Sequence, residues 1–207
     1  RDLLLALSNN MAIALQNARL YHKMKSLFIS TITSLTRAID AKDSYTSGHS
    51  ERVMRYAVAI GREMAMDDET LENLRLASLL HDIGKIGVRE SILMKPAKLL
   101  GYERRQIKMH PTIGARIVES IDDSQFIRRG ILEHHERFDG KGYPNNLKGE
   151  QISIEGRIIA VADVFDASTT DRPYQKGYSK DDIFRKIEGE ASSQFDPHVV
   201  AAFVISY

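Results

Sequence analysis

Apolar residues recur along this chain at helical spacing. From Asp2 to about Asp40 there is neither Pro nor Gly, while Leu4, Leu7, Met11, Leu15, Ala18 and Met24, then Phe28, Ile32, Leu35 and Ile39, follow one another at steps of three or four. The pattern predicts one long helix or two nearly continuous ones. A helix of ~40 residues would be ~60 Å long, too long to lie wholly inside one small domain, so it reads as a connector or a dimer seam. A break near His22 to Ser26 would instead make it two helices of a bundle. Beyond Asp43 the pattern predicts helices at about 48–65, 68–83, 102–109, 111–121, 125–137, 152–169, 180–190 and 197–205, with Pro111 and Pro197 in first turns and Asp196 as an N-cap. Alternating strand patterns are absent. The longest irregular stretch, Phe138 to Gln151, is either a structured loop beside a site or a loose connection. The expected class is all-α.

Composition adds limits. The chain has 207 residues, 43% hydrophobic and 28% charged, an ordinary globular balance. Lys and Arg number 29 against 28 Asp and Glu, so there is no general attraction to DNA or to an anionic membrane, and any phosphate chemistry must be local. No apolar run approaches the ~20 residues that cross a bilayer. Arg1 to Leu5 carry neither an initiator Met nor a signal layout, so the piece reads as cut from something longer. There is no Cys, which removes disulfides, thiolate metal sites and a Cys nucleophile, and fits a reducing, cytoplasmic compartment. Seven His remain as soft-to-borderline ligands.

The placement of those His residues, and of two Asp, carries the chemistry. His81 and Asp82 sit side by side at the end of an apolar helix, before Gly84 and Lys85. Asp163 stands inside Ile158-Ile159-Ala160-Val161-Ala162-Asp163-Val164-Phe165, where a carboxylate must be neutralised because burial costs several kcal/mol otherwise. Asp166, one turn on, reads as a polar partner near the helix end. His134 and His135 follow the apolar stretch Ile127 to Leu132. If both were helical they would point ~100° apart, toward two metals or toward one metal and a substrate oxygen. His49 opens a helix after Ser47-Gly48, and His110 precedes Pro111, which biases it onto a break. His22 and His198 have no such setting and read as structural or exposed. Imidazole plus carboxylate without thiolate suits Fe, Mn, Zn, Co or Ni in an open hydrolytic centre, and seven ligands are too many for one ion.

These residues lie in a recognisable order. His81-Asp82 with Gly84 and Lys85, His134-His135-Glu136-Arg137-Phe138-Asp139-Gly140-Lys141-Gly142-Tyr143-Pro144, Ala162-Asp163-Val164-Phe165-Asp166-Ala167, Asp171-Arg172-Pro173-Tyr174 and Gln194-Phe195-Asp196-Pro197 resemble the HD-GYP subgroup of the HD metal-dependent phosphohydrolases. The resemblance covers about residues 26–207. It implies an HD-type helical bundle and hydrolysis of cyclic di-GMP to the linear dinucleotide pGpG and, in some members, to GMP. Carried over, it makes His49, His81, Asp82 and Asp163 the HD-type metal set, and His110, His134 and His135 the ligands of a second metal, with Asp82 as the bridge. Members with a third metal carry a Glu four residues before the first His. Here that residue is Tyr45, and Asp43 lies six before His49, so two divalent ions are expected, Fe or Mn ahead of Zn, Co and Ni.

Two cations close together lower the pKa of a water bridging them and stabilise charge on phosphorus oxygens. Asp82 and Lys85 are the catalytic candidates, with Lys85 also reaching a non-bridging phosphate oxygen. Arg172 and Lys176 are candidates for the second phosphate, and Asp139 for orienting a ligand or the loop. The Gly142-Tyr143-Pro144 loop presents Tyr143 to guanine or to a partner protein, or buttresses His134 and His135.

Leu3 to Tyr21 resembles the closing helix of a GAF sensory domain. That divides the chain into 1–25, the end of an upstream GAF-like unit with its linker, and 26–207, the phosphodiesterase domain. It also implies a signalling helix paired in a parallel homodimer. The alternatives are a hydrolase of another cyclic dinucleotide, di-iron redox chemistry, and a catalytically silent sensor or interaction module.

Overall fold

The computed structural model describes residues 2–42, 48–121, 124–170 and 177–207. The expectations placed on Asp43, Tyr45, Arg172 and Lys176 fall outside them. The described residues are all-α, with no strand beyond an isolated bridge between Ala191 and Phe195. Helix α1 (Asp2–Lys42) is one uninterrupted helix of 41 residues, so the reading with a break near His22 is set aside. The chain divides into two compact units, Arg1–Leu35 and Thr36–Tyr207. In the first, Leu4, Leu7, Met11, Leu15 and Met24 are all exposed. No helix is long and apolar enough to cross a membrane.

The second unit is built on α2 (His49–Glu63), α3 (Asp68–Leu80), α6 (His110–Ile117), α7 (Gln125–Glu133), α8 (Ile154–Thr169) and α10 (Pro197–Ser206), joined by the shorter α4 (Glu90–Leu93), α5 (Gly101–Ile107) and α9 (Lys180–Gly189). Helix α8 is the central rod. Its Ile158, Ile159, Val161, Ala162 and Phe165 are buried among α2, α7, α9 and α10. Polar side chains start the helices where their first N–H groups would otherwise lack partners: Asp67 accepts from Thr70 N, Ser153 from Gly156 N, Ser179 from Asp182 N, and Asp196 from His198 N as expected.

Besides the helix expected over 111–121, which ends at Ile117 and passes into a 3-10 turn, Val118–Ser120, two helices stop earlier than the apolar pattern suggests. The helix expected over 68–83 ends at Leu80, and the one expected over 125–137 ends at Glu133. In each case the following His takes over a carbonyl that the helix leaves unpaired: His81 Nδ1 bonds Ser78 O at 2.8 Å and His134 Nδ1 bonds Ile131 O at 2.7 Å. His134 and His135 are therefore not helical neighbours pointing ~100° apart; they share an exit turn. His110 is likewise the first residue of α6, the break falling at Lys108 and Met109, and its Nδ1 bonds Ile107 O, the last carbonyl of α5, at 2.8 Å.

Backbone contact fixes the spacing of these ends. After Asp82 the chain turns through a short 3-10 stretch, Ile83–Gly87. A Cβ on Gly84 would stand 1.9 Å from His110 O, so only glycine lets this turn lie directly on the start of α6. The last two turns of α1 hold the same neighbourhood. Thr36 Oγ1 donates to Leu79 O at 3.3 Å, the buried Asp40 accepts from Ser50 Oγ at 2.8 Å, and Lys42 Nζ donates to the carbonyls of Lys85, Ile86 and Val88 at 3.3, 3.0 and 2.8 Å.

Candidate metal centre

Five imidazoles and two carboxylates meet where α2, α3, α6, α7 and α8 converge. They form two groups that could each hold a metal ion, one of His49, His81 and Asp163 and the other of His110, His134 and His135, with ligand atoms within 4.8 Å of one another in each. Asp82 stands between them. Its Oδ2 lies 3.4 Å from His81 Nε2 and 4.0 Å from His49 Nε2, while its Oδ1 lies 3.2 Å from His110 Nε2. Lys85 Nζ pairs with Oδ2 at 2.8 Å. Asp163 Oδ1 is 3.2 Å from His49 Nε2. His22 and His198 are exposed and belong to neither group.

Hydrogen bonds on the far side of the rings decide which nitrogen faces inward. A carbonyl oxygen can only accept, so the Nδ1 atoms of His81, His110 and His134 must each carry a proton, and Nε2 is the nitrogen that faces the centre. His49 Nδ1 instead faces Asp166 Oδ2 at 2.7 Å, and Asp166 is itself fixed by Arg52 Nε and Nη2 at 2.7 and 3.0 Å. A carboxylate behind a ligand imidazole holds its tautomer and raises its basicity. From the sequence alone Asp166 reads only as a polar partner near the helix end, and Arg52 is not singled out. The signal was present in the spacing, since Asp166 follows Asp163, and Arg52 follows His49, by one helical turn.

The donor set fits metal ions. His81 Nε2 is fully buried with no hydrogen-bond partner; the 3.4 Å to Asp82 lies within ion-pair reach but outside hydrogen-bond geometry. His110 Nε2 and His134 Nε2 approach to 3.2 Å, and with both protons committed to carbonyls on the Nδ1 side, two lone pairs face each other. A shared cation turns that repulsion into coordination.

The two groups differ in charge. Burial pulls His49 down, yet its bonds to Asp163 and Asp166 and the nearby charges push it up to about 10. Burial likewise opposes the charged form of His81, and the Asp82 and Asp163 charges outweigh it. In the other group burial wins, helped by imidazole neighbours: His110 is lowered, His134 is held well below its ordinary value, and His135 falls to about 4. Burial would raise Asp82 and Asp163, but Lys85 and the imidazoles outweigh it for Asp82, and hydrogen bonding to His49 leads for Asp163, so both are held well below the usual carboxylate range.

The loop after His135 packs against the second group. Tyr143 stacks on His135 with ring centroids 4.8 Å apart and planes at 27°, and Tyr143 N bonds His135 O at 3.2 Å. A Cβ on Gly142 would come within 2.4 Å of Glu136 Cα and Arg137 N, so glycine lets the loop return this closely. Pro144 follows through a cis peptide bond. The buried Glu136 carboxylate accepts from Asn145 N and Leu147 N at 2.6 and 3.1 Å and closes the turn. Asp139 does not reach a ligand imidazole among its described bonds; it pairs with Arg137 Nε and Nη2 at 3.1 and 3.0 Å and accepts from Lys141 N, with its carboxyl lowered to about 2, chiefly by Arg137. A cavity of about 300 Å³ opens beside this group, lined by His134, His135, Asp163, Tyr143, Lys108 and Arg137 among others.

Comparison with known proteins agrees with this geometry. The chain is 38% identical over 177 residues to the cyclic di-GMP phosphodiesterase response regulator RpfG of Xanthomonas campestris, covering 84% of this chain and 47% of that protein. It is 40% identical over 171 residues to 3'3'-cGAMP-specific phosphodiesterase 3 of Vibrio cholerae, covering 83% of this chain and 37% of that protein. The chain thus spans less than half the length of these relatives. Its fold matches the crystal structure of a cyclic GMP-AMP-specific phosphodiesterase of V. cholerae with a TM-score of 0.65 at 22% identity, over 84% of this chain and 47% of that one. A model of the HD domain matches residues 33–199, and with the centre formed by His49, His81, Asp82 and Asp163 inside that span, this chain belongs to the HD domain family.

Proposed function

We propose that this protein is a metal-dependent phosphodiesterase that hydrolyses a cyclic dinucleotide, with cyclic di-GMP as the leading substrate and pGpG as the product. The observation that carries the reading is Asp82, whose two oxygens address the two ligand groups separately at 3.4 and 3.2 Å. His49, His81 and Asp163 would hold one divalent ion, His110, His134 and His135 the other, and Asp82 would bridge them; Fe or Mn suits this set. Bound there, the ions would activate water and neutralise charge developing on a phosphate.

The chain's own residues do the rest. Four imidazoles are held from behind, by carbonyls or by Asp166, so their lone pairs stay directed inward while a substrate enters. Lys85, paired with Asp82 Oδ2, places a cation at the edge of the centre where a non-bridging phosphate oxygen would lie. Hydrolysis adds the oxygen of water to one phosphorus and breaks its bond to the 3' oxygen, which leaves with a proton. Tyr143, stacked on His135, serves as a wall of the substrate cavity with Gly142, while Pro144, expected there too, is not among the lining residues. Arg172 and Lys176 are assigned to the second phosphate from sequence alone, and Asp139 to holding the loop through Arg137.

Residues 1–25 are read as the end of an upstream GAF-like unit, and α1 as the seam of a parallel homodimer, because Leu4, Leu7, Met11, Leu15 and Met24 are exposed on one helix without a polar role. Light scattering tests this, with a dimer expected and a monomer at micromolar concentration contradicting it.

The test of function is product analysis with protein loaded with Mn(II) or Fe(II) under anaerobic conditions. Turnover of cyclic di-GMP to pGpG is the expected result. Cleavage of 3'3'-cGAMP alone would reassign the substrate, and tight binding of either without turnover would overturn the enzymatic reading in favour of a sensor.

A further inference from the structure

Three cations line the cavity beside His134 and His135 among the described residues, and their commitments differ. Arg137 is bound to Asp139 through two nitrogens and to Gln194 through a third at 2.8 Å. Lys141 points outward, its side chain 80% exposed, with Asp139 Oδ2 at 3.9 Å. Lys108 has no carboxylate within ion-pair distance among the described residues. Its ammonium instead lies over the ring of Tyr143, 4.6 Å from the centroid, and the same ring stacks on His135. Lys108 is the C-cap residue after α5, two before His110, and its backbone N–H is held by Arg104 O.

Such an arrangement keeps a cation in place without neutralising it. A tyrosine face attracts an ammonium through its quadrupole but takes no charge from it, so the ammonium retains its pull on an anion. Lys108 and His135 each contact the Tyr143 ring, 4.6 and 4.8 Å from its centroid, so the ammonium and the ligand imidazole line one cavity with that ring as their common neighbour. A cyclic dinucleotide carries a second phosphate across its ring, at a distance from the first.

We propose that Lys108 is a substrate-binding residue that joins Arg172 and Lys176 in taking the phosphate not being cleaved. This rests on the reading of the substrate as a cyclic dinucleotide. Tyr143 positions it, and Lys85 and Lys108 then mark the two ends of the substrate.

Lys108→Met keeps the length of the side chain and removes the charge. The expected result is a KM for cyclic di-GMP raised about tenfold relative to that for bis(p-nitrophenyl) phosphate, which has a single phosphate, with Lys108→Arg restoring most of the difference and the metal content unchanged. An unchanged ratio overturns the inference. So does an equal effect on both substrates, which would make Lys108 a support for the His135 group. Failure of the wild type to cleave any cyclic dinucleotide would sink the proposed function instead, and the dissociation constant of Lys108→Met for cyclic di-GMP, expected about tenfold weaker than wild type and contradictory if equal, then decides the role of Lys108.

Discussion

The two ligand groups are built from the same imidazole but are prepared in opposite ways. Around His49 and His81 the neighbours are carboxylates, Asp82, Asp163 and, behind the ring, Asp166. Around His110, His134 and His135 they are other imidazoles, backbone carbonyls and the Tyr143 ring. In the ion-free protein the first group stores protons, with His49 pushed up to about 10, and the second stays neutral, with His135 lowered to about 4. A cation must displace a proton from the first and meets ready lone pairs in the second. Among the described residues Asp82 stands between the two groups, with one oxygen toward each.

The largest effect should therefore come from removing what the groups share. Asp82→Ala is expected to lower turnover on the order of 10³-fold and to reduce bound metal from two ions per chain, measured by elemental analysis beside the assay. Retention of two ions with unchanged turnover would show that nothing bridges the groups. Asp166→Asn should act on one group alone, weakening metal affinity at His49 by about 10- to 100-fold while the imidazole group keeps its ion. Anomalous scattering at the metal edge separates the two positions, and equal loss at both would contradict the independence of the two groups.

The smallest effect is one of proton number. At pH 7 His49 lies below its value of about 10 and is protonated, while His135 lies above its value of about 4 and is neutral. Calorimetry in buffers of different ionisation enthalpy should then find proton release on filling the carboxylate group and none on filling the other. For the ion-free protein the raised His49 contributes stability that is fully present below about pH 6.5 and is lost as the pH rises towards 10. Thermal melts without metal that show no fall over that window would contradict the assignment.

Much of this was legible in the chain itself, and the parts that were not share a cause. Helical spacing located every long helix, and a carboxylate inside Ile158 to Phe165 pointed to the centre because burial makes Asp163 costly without a partner. The end of α3 is misplaced because Ile83 continues the apolar rhythm past the true stop, and that of α7 because His134 to Arg137 include no Gly or Pro to mark it. What ends those helices is the side chain of the next His, bonded three residues back, and an apolar pattern does not register a hydrogen bond. Lys108 and Lys42 escaped for a related reason. A lysine near a helix end reads as solvated, and only folding reveals that Lys42 spends its three protons on the carbonyls of Lys85, Ile86 and Val88, or that Lys108 lies over an aromatic ring.

The bonds from His81, His110 and His134 to the carbonyls of Ser78, Ile107 and Ile131 have a further consequence, for the entropy of metal uptake. A ligand ring that turned freely would lose its rotamer freedom on coordination, about 0.5 to 1.5 kcal/mol for each side chain immobilised. These three rings lose it when their helices form, before any ion arrives. The rings are thus preorganised by folding, which would leave desolvation of the ion and competition with protons as the costs of uptake.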